Sequence, residues 1–331
     1  MFLQRLYSSA ILSCAVTILA VSTSSQKTKK NAPASALDRI GLLNLMVVYL
    51  VWSSTYFAIR IAVREGAGFP PFTLGFTRAA LAAVVLFAWS RWRGERLKLS
   101  RPELLTLVAS GLLLWAGGNG LVTFAETRTA SGLAALMVAA TPIWVAIIEA
   151  ILDRKLPSFQ LAISLLIGFF GIAVLTAPEL MTGVQADTIA VLALIGAELT
   201  WASGSVVMAR RPVSLTARTS SAYQMAFGAL GFAAVVLLLG EPLPTPTPEA
   251  WIALAYLTLF GSIFAFTAYV TALRLLPTRV VMTYAYVNPV LALMLGSLLG
   301  EQITGWTIAG SLFVLLGVAG VFRERLNRAA N

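Results

Sequence analysis

Ten long apolar segments make up nearly all of the sequence after Asp38 and Arg39. Each is close to the ~20 residues that a helix needs to cross about 30 Å of hydrocarbon. A segment in lipid must satisfy its own backbone hydrogen bonds, so these segments predict helices, and their lack of polar–apolar alternation excludes a β-barrel. The predicted fold is an all-α polytopic membrane protein with ten transmembrane helices. The predicted spans are residues 40–60, 71–91, 103–123, 131–152, 158–177, 188–209, 218–239, 250–273, 278–299 and 303–322.

The composition excludes several classes of function. Charged residues are 11% of the chain, whereas a soluble domain has about 25%. There is no histidine, and Cys14 is the single cysteine, which excludes imidazole catalysis, histidine-ligated metal, an internal disulfide and a cysteine zinc cluster. No cofactor or metal is predicted. The net charge of +10 does not indicate nucleic acid as a partner, because the basic residues lie in short loops between apolar segments.

Those basic residues predict the orientation of the chain. With the N-terminus in the cytoplasm, 19 basic residues fall in cytoplasmic segments, and only Arg60, Arg64 and Arg128 fall outside. This bias predicts that both termini are cytoplasmic, in a bacterial-type inner membrane. Residues 1–37 resemble a signal peptide, with a nonfunctional extension or a mis-assigned start as alternatives. Cleavage and export of a new N-terminus would oppose the charge pattern.

The sequence also repeats itself internally. Thr141-Pro142 is echoed by Asn288-Pro289 after 147 residues, and in both copies a short turn and a glycine-containing apolar segment follow. Trp52 is echoed by Trp201 after 149 residues. Each half therefore has five helices, and an odd number predicts that the second half is inverted relative to the first. The predicted boundaries are residues 38–177 and 187–323 for the repeats, with a linker at 178–186 and a cytoplasmic tail at 324–331.

Several short motifs follow one another along the chain: Trp52-Ser53-Ser54, Phe76-Thr77-Arg78, Gly118-Asn119-Gly120 with Ala125-Glu126, Ser131-Gly132 with Thr141-Pro142, and Asn288-Pro289 with Gly300-Glu301. By their order, spacing and duplication they resemble the drug/metabolite transporter superfamily, specifically its EamA-like ten-helix branch. The resemblance covers residues 40–322, and Asp153-Arg154-Lys155 departs from the Gly-Glu-Arg that the family often has after its fourth helix. It implies a secondary transporter, commonly an exporter of amino acids or other small metabolites.

Two charged residues inside the predicted spans are candidates for solute binding. Glu198 lies halfway along the sixth span, where a charge costs roughly 2.5–3.5 kcal/mol, and it shares a helix face with Trp201 and Ser205. We expect it to bind a cationic group or a proton; the alternative is a glutamate kept neutral by burial that bonds a neighbouring helix. Arg78, in the second span, pairs with a substrate carboxylate or, equally, with Glu126, Glu198 or backbone carbonyls.

Proline and aromatic residues complete the predicted cavity. Pro142 and Pro289 are expected to interrupt their helices beside the polar Thr141 and Asn288, as a gate or as static kinks. Trp52 and Trp201 lie too deep for an aromatic belt and are favoured as cavity walls. The remaining predicted cavity residues are Tyr56, Asn119, Gln224 and Tyr284.

The predicted function is therefore a secondary transporter that exports its solute by alternating access. Its expected partners are a small-molecule substrate, the lipid bilayer and protons as the coupling ion, and a homodimer is left open. The alternatives are an importer or facilitator of a sugar, nucleotide-sugar or organic anion, with Arg78 as the key charge, and a non-transporting membrane scaffold or sensor. An enzyme is not expected, because the sequence has no histidine and no metal-ligand cluster.

Overall fold

The computed structural model describes residues 38–128, 131–181, 187–298 and 304–330. All of the regular secondary structure in these ranges is helical. The predicted N-terminal extension and the turn containing Glu301 lie outside the described residues. Uninterrupted helices are α1 (Arg39–Val63), α2 (Pro71–Trp92), α5 (Phe159–Met181), α6 (Thr188–Arg210), α7 (Ala217–Leu239) and α10 (Gly305–Ala330).

The remaining helices change geometry or are interrupted. Helix α3 (Arg101–Glu126) is π-helical over Leu112–Asn119, and α8 (Pro248–Leu275) is π-helical over Leu257–Phe266. Helix α4 consists of Ser131–Val138 and Thr141–Asp153, and α9 consists of Thr278–Val281 and Tyr284–Leu298.

Within the described ranges, nine helices are long and apolar enough to cross a membrane. They correspond to nine of the predicted spans, which confirms an all-helical chain suited to lipid. The segment predicted at residues 278–299 is described as the two pieces of α9, neither of which has the required length. The count of ten transmembrane helices therefore stays a prediction.

Local sequence signals explain where four of these helices begin. Asp38 and Asp187 accept hydrogen bonds from the first free backbone amides of α1 and α6, and Thr216 and Thr247 do the same for α7 and α8. Such caps satisfy amides that have no partner within the helix and contribute about 1 kcal/mol each. They place each helix start at an end of the bundle and leave the long apolar stretches for its middle.

The interruptions of α4 and α9 differ from the predicted ones. In α4 the helix breaks at Ala139–Ala140, and Pro142 occupies the first turn of the second piece, where a missing N–H costs nothing. In α9 the helix breaks at Met282–Thr283, whereas Pro289 lies inside the second piece. The prediction of a break at Pro289 was wrong in position. At this break the Thr283 hydroxyl bonds the Val280 carbonyl at 2.5 Å.

Glycines bring α5 and α10 into close contact. A Cβ atom on Gly317 would lie 2.5 Å from the backbone nitrogen of Gly168, and one on Gly171 would lie 2.6 Å from the nitrogen of Val314. Both separations are shorter than any real contact, so these helices touch backbone to backbone. Gly168, Gly171 and Gly317 therefore serve the close packing of these two helices.

Candidate functional site

An internal cavity of about 70 Å³ lies between helices from both halves of the chain. A volume of this size holds a few water molecules or a small solute group, since one water needs roughly 10–15 Å³ on the same measure. The walls come from α1, α2, α3, α4, α6, α8 and α9. The lining residues are Trp52, Thr55, Ile59, Arg78, Trp115, Gly118, Asn119, Val122, Val138, Glu198, Trp201, Gly261, Phe266 and Tyr284.

Arg78 is a buried cation in the wall of this cavity, with only 5% of its surface exposed. Its Nε donates a hydrogen bond to the Ser262 hydroxyl at 2.7 Å, and its guanidinium carbon lies 5.3 Å from the centre of the Trp115 ring. Among the described residues no carboxylate forms an ion pair with it, so neither Glu126 nor Glu198 is its partner. A guanidinium held in this way retains free donors for an anionic group.

Glu198 lies in another part of the cavity wall and is buried to the same degree. Its Oε2 bonds the Thr141 hydroxyl, which also donates to the Val138 carbonyl at 2.6 Å. A hydroxyl has one proton, so it cannot donate to both oxygens at once. Both bonds form together when Glu198 carries a proton and donates it to Thr141.

Aromatic rings form the wall between these charges. The Trp52 ring centre lies 5.6 Å from that of Trp201 and 5.0 Å from that of Tyr284, both edge to face. Tyr269 packs 5.1 Å from Trp52, and its hydroxyl bonds the Ser205 hydroxyl at 2.5 Å. Edge-to-face contacts hold each ring at a defined angle. The result is a rigid apolar wall.

The structure brings six of the twelve predicted cavity residues to the cavity surface. Trp52, Arg78, Asn119, Glu198, Trp201 and Tyr284 line the cavity. Thr141 contributes through its bond to Glu198, and Pro142 follows it in α4. The side chain of Tyr56 lies outside the described residues.

Two polar residues with predicted roles are buried elsewhere. Gln224 donates from Nε2 to the Ser110 hydroxyl at 2.8 Å, in the contact of α7 with α3. The Asn288 amide, in the orientation that satisfies it, donates to the carbonyls of Tyr49 and Tyr284 at 3.2 Å, and Pro289 lies beside it. These contacts join helices and leave neither residue on the cavity surface.

Several cavity residues were not predicted from the sequence. Trp115, Gly261 and Phe266 line the cavity from the π-helical segments, and Ser262 contacts the cavity residue Arg78 from one of them. The sequence offered one signal for these residues, the small pair Gly261-Ser262 inside an otherwise apolar span. The π-helical geometry that directs these residues into the cavity has no recognisable sequence pattern.

A second and larger hollow of about 330 Å³ lies at the end of the bundle where α4 ends. Its polar residues are Glu149, Asp153, Lys155 and Arg279. Asp153 is paired with Arg210 at 2.6 Å, and the neighbouring Leu156 is almost fully exposed. This hollow opens at the helix ends and contains no buried unpaired charge, so it is the weaker candidate for the functional site.

Comparison with known proteins identifies the relatives of this chain. The family model described as the EamA-like transporter family matches residues 39–177 and again residues 188–323. The protein named "uncharacterized inner membrane transporter YedA" of Escherichia coli strain K12 is 36% identical over 278 residues, which are 83% of this chain and 86% of YedA. "Uncharacterized transporter YoaV" of Bacillus subtilis strain 168 is 25% identical over 282 residues, which are 84% of this chain and 94% of YoaV.

The fold also has a relative among solved structures. One crystal structure matches with a TM-score of 0.70 and 22% identity, over 88% of this chain and 99% of the other. An uncharacterized transporter of Archaeoglobus fulgidus is 27% identical over 283 residues, which are 83% of this chain and 95% of that protein. The matches extend over nearly the whole helical part of the chain, so fold and family are shared along its length.

Proposed function

The chain belongs to the EamA-like transporter family, and we propose that it is a secondary transporter that exports amino acids or similar small metabolites by alternating access. The observation that carries this proposal is the cavity holding Arg78, which has no acidic partner among the described residues, together with the buried Glu198. Burying an unpaired charge in a membrane protein is costly, so such a residue serves a function by default.

The chemistry of the walls favours a solute with both charges and an apolar part. A guanidinium forms two parallel hydrogen bonds with a carboxylate. Glu198 offers a carboxyl group to an ammonium, and Trp52, Trp201 and Tyr284 offer ring surfaces to an apolar side chain. An amino acid has all three features.

The pairing of Glu198 with Thr141 supports protons as the coupling ion. The Thr141 hydroxyl satisfies both of its bonds when Glu198 is protonated, and it must give one up when Glu198 is ionised. An incoming ammonium would compensate the ionised carboxylate. Proton and substrate would then occupy Glu198 in turn, which is the exchange that an antiporter requires.

Two further features support alternating access in an inner membrane. The family model matches the two halves of the chain separately, and both halves contribute walls to one central cavity. We propose that the halves are inverted repeats of five helices that rock about this cavity. With YedA named an inner membrane transporter, we also propose an inner membrane location.

The test is an export profile from cells that produce the protein. Amino acids and small metabolites in the medium are quantified for the wild type, Glu198→Gln and a control, Glu149→Gln. The control residue is a glutamate on α4 that does not line the cavity. We expect one compound or class to accumulate outside with the wild type and the control, and at least tenfold less with Glu198→Gln, because a neutral amide cannot exchange a proton.

Equal amounts of each protein in the membrane are verified by immunoblot. Identical profiles for the wild type and Glu198→Gln would contradict the proposal. Import of an organic anion is the second candidate, favoured by the lack of an acidic partner for Arg78 among the described residues. In that case uptake of the anion would be lost on Arg78→Glu and retained on Glu198→Gln.

A further inference from the structure

Ser262 and Gly261 lie on the π-helical segment of α8, directly against Arg78. We propose that this pair determines substrate specificity: it positions the Arg78 guanidinium so that the cavity selects solutes with a carboxylate. The proposal depends on the proposed function in one respect, namely that the solute binds in this cavity.

The hydrogen bonds of Ser262 fix its role as an acceptor for Arg78. Its hydroxyl donates to the carbonyl of Leu257, five residues earlier, at 3.1 Å. The single hydroxyl proton is thereby used, so the oxygen accepts from Arg78 Nε at 2.7 Å. The five-residue step is the repeat of a π-helix. The local geometry of α8 therefore places the acceptor that holds Arg78.

Gly261 provides the space that the guanidinium occupies. A Cβ atom at this position would lie 2.9 Å from Arg78 Nη2 and 3.1 Å from Thr55 Cγ2. The Gly261 carbonyl accepts a hydrogen bond from Trp52 Nε1 at 3.1 Å. One residue thus contacts the cation and the aromatic wall together. A methyl group here would displace the end of the Arg78 side chain, because the three nearest atoms all belong to side chains and none to the backbone.

The other contacts of Arg78 leave its terminal nitrogens available. Trp115 lies beside the guanidinium at 5.3 Å, and Nε is taken by Ser262. Within the described part of the chain no carboxylate reaches Arg78. With Nε restrained, both Nη groups keep one orientation, and a planar carboxylate can bond them together.

The test compares Ser262→Ala with Ser262→Thr, Gly261→Ala and a matched control, Ser110→Ala. Ser110 is buried like Ser262 and also donates to a helix carbonyl, that of Thr106 at 2.7 Å, but the side chain from which it accepts is Gln224, at 2.8 Å, and not Arg78. Binding of three probes to the detergent-purified protein is measured: L-leucine, isoamylamine (which lacks the carboxylate) and 4-methylpentanoate (which lacks the ammonium).

We expect Ser262→Ala and Gly261→Ala to lower the affinity for L-leucine and for 4-methylpentanoate about tenfold. This is the cost of disturbing one hydrogen bond to a charged group. Isoamylamine should bind as it does to the wild type, because it makes no use of Arg78. Ser262→Thr keeps the hydroxyl, so it should bind the three probes with the affinities of the wild type. Ser110→Ala should also bind them as the wild type does. Equal weakening of all three probes would overturn the proposal, since a merely structural role predicts that result.

A second measurement needs no substrate. In protein labelled at its arginine nitrogens, the Nε–H signal of Arg78, identified by its loss in Arg78→Lys, reports the bond to Ser262. We expect this signal to shift and to exchange faster with water in Ser262→Ala and to be unchanged in Ser110→Ala. An unchanged signal in Ser262→Ala would overturn the positioning role. If the signal shifts as expected but the wild type binds none of the probes, the failure belongs to the proposed amino acid substrate.

Discussion

Asp187 links two elements through a single side chain. It caps α6 by accepting from the amide of Ile189 at 2.8 Å, and it receives a hydrogen bond from Arg128 Nε at 2.7 Å. The pKa of Asp187 is held below its ordinary value, mainly by the hydrogen bond from Arg128 and to a smaller extent by the bond from the capped amide. A carboxyl with a lowered folded-state pKa stabilises the fold above its unfolded pKa of about 4, and this stabilisation is lost as the pH falls through the folded pKa.

Asp187→Asn tests this link. The amide oxygen keeps the cap, but the charge that binds Arg128 is gone. We expect the variant to unfold at a lower temperature than the wild type at about pH 7, and the difference to shrink as the pH falls through the lowered pKa of Asp187 and its carboxyl takes up a proton. Thermal unfolding in detergent across this pH range measures both. A difference that is independent of pH would contradict the prediction, and Arg128→Gln should reproduce the effect of Asp187→Asn.

Single residues of the cavity were predictable where a charge or a large ring stands inside an apolar segment. Glu198, Arg78, Trp52 and Trp201 satisfy this description, and the structure brings them together. Gln224 is a neutral polar residue inside an apolar segment, and its amide is directed at Ser110 in a contact between helices. The sequence shows that a polar group is buried, but which helix it faces depends on the rotation of its own helix, and that is set by packing.

At the level of elements, the contact of α5 with α10 depends on the absence of side chains. Gly317→Ala would place a methyl group 2.5 Å from the Gly168 nitrogen, and backbone cannot move aside as a side chain can. We expect a loss of about 1–3 kcal/mol in unfolding free energy, the usual cost of overpacking. Thermal unfolding measures it. Gly305→Ala is the control, because a Cβ atom there meets nothing within 4 Å, and equal stability of the two variants would contradict the prediction.

The π-helical segments of α3 and α8 are the elements that sequence reasoning missed. They occupy corresponding places in the two halves, Leu112–Asn119 and Leu257–Phe266. Both spans look like ordinary apolar helices, because a π-helix has no distinctive composition. The π-helical turn of α8 instead coincides with contacts to other helices. Trp52 of α1 bonds the Gly261 carbonyl, and Arg78 of α2 bonds the Ser262 hydroxyl.

For the whole molecule, the two ends of the bundle differ in charge. The ion pairs Glu95–Arg218, Glu103–Arg96 and Asp153–Arg210 lie at the end where α2, α4 and α6 finish. The opposite end holds the pair Asp187–Arg128. The excess of arginine and lysine at the first end predicts that it faces the cytoplasm together with both termini.

Reporter fusions test this orientation. Green fluorescent protein joined after Asn331 should fluoresce, and alkaline phosphatase at the same point should be inactive, because phosphatase folds only outside the inner membrane. The reverse is expected for fusions after residue 186, between the two halves. Active phosphatase after Asn331 would contradict the predicted topology.

The sequence alone determined the class of the protein, the approximate position of nine helices and the family. In lipid each segment must satisfy its own backbone hydrogen bonds, so a membrane helix can be recognised from the length and apolar content of its own sequence. The tertiary structure decided what the helices present to one another. It placed Gln224 and Asn288 between helices, opened π-helical turns in α3 and α8, and left Arg78 beside Ser262 without an acidic partner among the described residues. These outcomes depend on the rotation and contact of helices far apart in the chain, and no local pattern encodes them.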